Sequence, residues 1–255
     1  MLKNNIPTQN QKYIDIIKKE FEVSLIKPNI VSLIVHGSSL FQSLTERPYS
    51  DIDIELILIK QTEEDYTIIK EIVGRLPIRM EVQLRYINEI TNKHGVILSS
   101  YYKIFMYYAY ANGYCLIGEN VYKKLISELK EKEVKHSILI SLQIAFKDIR
   151  KKFFSCNNLS TVYETNKCIL RFFQLICMYE GALDYKDLGS KKYFDLEKEG
   201  YIPLLLELYS EKLSDVDIKT LKIFPKSYIE NELNQNIFPC VNNVMKIIED
   251  RNNSY

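Results

Sequence analysis

Three short β-branched runs crowd into residues 30–86, and they constrain the fold more than any other feature of the chain. Residues 30–35 read Ile-Val-Ser-Leu-Ile-Val, a compact strand signal. Residues 52–59 give a second strand, in which Asp51, Asp53 and Glu55 alternate with isoleucines. Residues 78–86, IRMEVQLRY, alternate again and give a third. A polar loop at 43–50 separates the first two, and a helical pattern at 62–73, stopped by Gly74, separates the second and third. A first helix at 9–22 carries Ile14, Ile17 and Phe21 at helical spacing, and a break follows at Lys27-Pro28-Asn29. This order predicts a mixed or antiparallel-edged sheet with helices, not a long parallel series.

From about residue 98 the pattern becomes helical. Helices are predicted at 98–110, 118–132, 134–153, 161–180, 200–212 and 238–249. Breaks are expected at Asn112-Gly113, Asn157-Asn158, Gly181, Gly189 and Gly200. The expected class is therefore α+β: an N-terminal mixed β-sheet with helices over 1–115, then a C-terminal helical bundle over 116–255. A chain of 255 residues can bury such cores without staples.

Charge narrows the function classes little. Lys and Arg number 34 against 33 Asp and Glu, so the net charge is +1, with no coat for nucleic acid. Cys115, Cys156, Cys168, Cys177 and Cys240 form no CxxC pair and read as core thiols of a reducing compartment. The polar start, MLKNNIPTQNQKY, lacks a signal-peptide core, and no apolar run is long enough to cross a membrane. A cytoplasmic protein without membrane partners is expected.

The chemistry concentrates around the second strand. Residues i and i+2 of a strand share a face, so Asp51 and Asp53 point together. Adjacent ionised carboxylates repel unless a cation neutralises them. Hard oxygen donors suit Mg²⁺, which also accepts phosphate oxygens. Glu81 on the next strand would complete a two-metal clamp, with Gln83 on its face. Gly37-Ser38-Ser39 ends the first strand, where backbone N–H groups and small hydroxyls can hold phosphate. No Walker GxxxxGK[ST] is present. An isolated Asp-x-Asp is usually a solvated strand end. It is the full order that gives it meaning: strand, Gly-Ser, loop, Ser50-Asp51-x-Asp53, strand, then Glu81.

HGSSLFQSLTERPYSDIDIELIL resembles the signature of the nucleotidyltransferase superfamily that shares the polymerase-β palm. The stretches 50–86 and 93–105, the latter with His94-Gly95, are most similar to aminoglycoside nucleotidyltransferases. The resemblance implies Gly37, Ser38, Ser39 and Ser50 at a triphosphate, and Asp51, Asp53 and Glu81 around two Mg²⁺ ions. Leu170-Arg171 and YKDLGSKKY resemble the helical domain of streptomycin and spectinomycin adenylyltransferases. That likeness implies Arg171 and Lys186 at the nucleotide phosphates, with Lys167 nearby. Many members of the superfamily carry a second Gly soon after the Gly-Ser; this chain has Leu40-Phe41-Gln42-Ser43. Asp148 is the nearest counterpart of a helical base, though it reads more readily as a solvated acid between Lys147 and Arg150.

The implied reaction is in-line transfer of a nucleoside monophosphate from ATP or another NTP to a hydroxyl of a small molecule, such as an aminoglycoside. Asp51, Asp53, Glu55 and Glu81 supply acids for a cationic acceptor. The basic run Lys147, Arg150, Lys151, Lys152 supports a second reading, an RNA or protein acceptor as for a toxin. The absent second Gly supports a third, a non-catalytic nucleotide-binding or interaction protein. His36 reads as a pocket liner or a strand-end residue, and His36, His94 and His136 are too dispersed for a zinc site. The tyrosines at 101, 102, 107, 108 and 110 read as packing more than as a base platform.

Overall fold

The structure, a computed structural model, describes residues 6–44, 51–91, 103–154, 159–194, 201–229 and 232–252. The chain divides into two compact units, one of residues 1–134 with 185–195, the other of 135–184 with 196–255.

The first unit is built on a four-stranded sheet of order β3-β2-β1-β4. Its strands are β1 (Ile30–His36), β2 (Ile52–Leu58), β3 (Met80–Tyr86) and β4 (Tyr114–Gly118). β1 pairs antiparallel with β2 and with β4, while β2 and β3 run parallel, joined through α2 (Asp65–Arg75). The mixed sheet expected from the sequence is thus present. α1 (Thr8–Val23) buries Ile14, Ile17 and Phe21 against one face of the sheet, with Leu33, Val35, Ile54 and Leu56 opposite. Each such aliphatic side chain contributes roughly 2 kcal/mol by leaving water. The other face packs Ile34 and Ile57 against α3 (Ile87–Thr91), α4 (Met106–Ala111) and α5 (Val121–Glu128), which supply Ile90, Tyr107, Tyr110 and Tyr122.

Several elements differ from the sequence reading. β4 occupies 114–118, where no strand was expected and where a helix was to begin at 118. Its Gly118 has φ +73°, and a Cβ there would strike the Val31 carbonyl, so the close approach of the two strands needs glycine. The predicted helix at 98–110 is reduced, among the described residues, to α4. α2 begins at Asp65 and runs one residue past Gly74, to Arg75. The break expected between helices 118–132 and 134–153 falls earlier, at 129–130, between α5 and α6 (Glu131–Phe153).

The second unit takes α6 from residue 135 onward, α7 (Leu159–Tyr179), α8 (Ile202–Tyr209), α9 (Asp215–Ile229) and α10 (Ile237–Asn252). Phe172, Phe173, Tyr201, Leu205, Tyr209 and Phe224 are buried in it. α9 was not expected: Pro225 sits within it, removes a backbone donor and hides the helical pattern. Burial pushes the Cys177 and Cys240 thiols up to about 12, so both stay protonated. Among the described residues, no helix is long and apolar enough to cross a membrane.

Candidate active site on one face of the sheet

The register gathers the polar residues of three strands onto one face. His36 of β1 lies opposite Asp53 of β2, and Asp53 lies beside Glu81 of β3. One step further in, Glu55 pairs in register with Ile34 and Gln83, and Arg85 with Ile57. Asp51 precedes β2 on the same face, two residues from Asp53. The face therefore grades along its length. Asp51, Asp53 and Glu81 are reached by solvent at one end, while Glu55 is fully buried.

The buried end is a network. Arg85 Nε approaches Glu55 Oε1 at 2.6 Å as an ion pair, without the alignment of a hydrogen bond. The Tyr122 hydroxyl donates to the same Glu55 oxygen, and the Tyr110 hydroxyl donates to Gln83 Oε1 at 3.1 Å. Burial raises the Glu55 carboxyl above its usual range, against the pull of Arg85 and Tyr122. Burial lowers Arg85, but Glu55, Tyr122 and Tyr110 together outweigh it and the guanidinium is held charged. Glu55, counted from the sequence among acids for a cationic acceptor, is thus taken up by Arg85 and Tyr122. The alternation of 81, 83 and 85 on one strand was the available signal for Arg85; nothing in the order of residues marked Tyr122.

His36 closes β1 with its ring edge-on to Tyr110, centroids 4.9 Å apart. Its Nε2 is buried without a hydrogen-bond partner among the described residues. Burial first, and Arg85 second, lower its pKa to about 4, so the imidazole is neutral. Gly37 follows with φ +80°, and a Cβ there would overlap the Asp53 carboxylate. Only glycine lets that carboxylate lie against the turn. A single turn of 3₁₀ helix, Ser38–Leu40, comes next. Ser38 is half-buried, whereas Ser39 is buried and donates its hydroxyl to the His36 carbonyl at 3.4 Å.

The remaining sequence candidates are dispersed. Ser50 and His94 lie outside the described residues. Lys186 belongs to the first unit, exposed on a 3₁₀ turn, Tyr185–Asp187, whose Lys186 and Leu188 carbonyls accept from Asn112 Nδ2 at 3.0 and 2.7 Å. Asp148 and Arg171 are exposed in the second unit, on α6 and α7, both acting electrostatically on Cys168.

The donor set of Asp51, Asp53 and Glu81 suits a hard divalent cation such as Mg²⁺ in chemistry. Asp53 is fixed against Gly37, and Asp51 faces Arg79 Nε at 3.8 Å across an exposed pair of little strength. Among the described residues, no three His, Cys, Asp or Glu groups converge into a ready-made metal cluster.

Neither a family model nor a curated protein matches the chain. Among solved structures, the fold is similar to that of a spectinomycin adenyltransferase from Enterococcus faecialis solved with ATP and spectinomycin. The TM-score is 0.55 at 14% identity, over 92% of this chain and 97% of that one. The fold is nucleotidyltransferase-like. At that identity the likeness concerns the fold alone, and the functional reading rests on the polar face just described.

Proposed function

We propose that the protein transfers a nucleoside monophosphate from an NTP, ATP foremost, to a hydroxyl of a small molecule. One observation carries this reading: Asp51, Asp53 and Glu81 share the open end of a sheet face, and the Asp53 carboxylate lies against the positive-φ turn at Gly37. The solved neighbour's ATP and spectinomycin motivate the co-substrate and the hydroxyl-bearing, aminocyclitol-like acceptor.

In the proposed reaction the acceptor oxygen attacks the α-phosphorus. The bond from that phosphorus to the β-phosphate oxygen breaks, and pyrophosphate leaves. Gly37 lets the Asp53 carboxylate lie against the turn, and the Ser38 hydroxyl donates to a phosphate oxygen. Asp51 and Asp53 would hold Mg²⁺. When bound, it supplies charge screening on the triphosphate and acidifies the attacking hydroxyl. Glu81, exposed beside Asp53, completes the acid set.

The test is incubation with Mg²⁺, each labelled NTP, and an acceptor panel of aminoglycosides, aminocyclitols, RNA and protein. Pyrophosphate release with a labelled small-molecule product is expected. Asp53→Asn should reduce it by about a hundredfold or more while leaving the thermal transition in place. Label on RNA or protein would move the acceptor class. Transfer unchanged in Asp53→Asn would overturn the reading.

A further inference from the structure

Asn10 lies on the core-facing stripe of α1, in step with Ile14, Ile17 and Phe21, and is fully buried. A buried carboxamide needs partners, and all of these lie some thirty residues away, in the loop after the Gly-Ser turn. Asn10 Nδ2 donates to the Ser39 carbonyl at 2.7 Å and to the Gln42 carbonyl at 2.8 Å. Asn10 Oδ1 accepts from the Leu44 amide at 3.2 Å. One side chain thus ties down three consecutive points of the segment that leaves Gly37. The segment's own bonds are local: Leu40 N to Gly37 O at 3.3 Å, and Phe41 N and Gln42 N to Ser38 O at 3.0 and 2.9 Å. Those bonds set the shape of the turn.

We propose that Asn10 is a positioning residue for the phosphate-binding turn, pinning the segment that leaves it through the Ser39 and Gln42 carbonyls and the Leu44 amide. The inference rests on the nucleotide reading of Gly37-Ser38. It makes a selective claim: Asn10 acts on phosphate recognition and not on the nucleoside.

Binding of Mg²⁺-ATP, Mg²⁺-tripolyphosphate and adenosine to the full chain is measured by calorimetry, for the parent, Asn10→Ala and Asn10→Asp. Asn10→Asp keeps the volume and loses both donors. Both variants should bind ATP and tripolyphosphate about tenfold more weakly, the scale of a lost buried hydrogen bond, with adenosine affinity unchanged. A folded variant that binds all three ligands more weakly alike overturns the proposal, as does parent-like tripolyphosphate binding in a folded variant. In the parent alone, Mg²⁺-tripolyphosphate should slow hydrogen exchange at the Leu44 amide, so an unfolded variant leaves this test standing. Unchanged exchange there with ATP still bound overturns the inference and spares the nucleotide reading. A parent that binds neither ATP nor tripolyphosphate overturns both.

Discussion

His36 shows how much one buried side chain can report. Its pKa falls from 6.5 to about 4 on folding, so the folded state releases a proton that the unfolded chain holds between those values. Stability from His36 is complete above pH 6.5 and is lost as the pH falls toward 4. The full swing is about 3 kcal/mol. Urea unfolding at pH 7 and at pH 4.5 should show His36→Gln losing less stability than the parent across this interval. Equal slopes would mean the imidazole is not desolvated. The sequence showed His36 beside Gly37 but not its burial, because burial is contributed by Tyr110, 74 residues further along. The same limit applies to Ser39, whose neighbour Ser38 looks identical in sequence and faces different surroundings. Asn10 carried a usable signal: a polar residue at positions 10, 14, 17 and 21 breaks an otherwise apolar stripe.

At the scale of strands and helices, β1, β2 and β3 were legible because alternation and β-branching mark them directly. β4 was not: Tyr-Cys-Leu-Ile-Gly is short, and the tyrosines before it continue a helical spacing. The ladder between β2 and β3 also fixes what the Glu55–Arg85 pair does. Removing one partner leaves a buried charge, whereas removing both leaves apolar contact. Arg85→Met should cost about 3–5 kcal/mol in chemical denaturation, and Glu55→Leu combined with Arg85→Met should recover most of it. The single variant should be weaker at pH 8 than at pH 5. Its isolated carboxyl, already raised by burial, protonates in the folded state first, and that stabilisation is lost as the pH rises through the folded pKa. A single-variant loss that does not depend on pH would remove the carboxylate from the explanation.

Over the whole molecule, the chain crosses between its two units at 134–135, 184–185 and 195–196. The returning stretch at 185–195 is integral to the first unit. Tyr185 packs edge-on to Tyr108, and Phe194 packs against Phe41 at 5.8 Å. Gly189, at φ +73°, meets the Ala109 backbone where a Cβ would collide. No compositional shift marks that stretch. Its membership follows from Asn112, just after α4, which binds two of its carbonyls. A fragment ending at residue 134 should therefore melt at lower temperature than the full chain and exchange α4 amides faster. A fragment as protected as the full chain would make the stretch dispensable.

That return also orders events during translation. As the chain emerges from the ribosome, Phe41 and Tyr108 appear well before Tyr185 and Phe194, which cover them in the finished protein. All of α6 and α7 must be synthesised in between. The first unit cannot mature as an early, self-contained piece, although domains ordinarily fold in order of emergence. Phe41 is without its Phe194 cover until that stretch is made, and a message cut short inside α7 yields no finished first unit.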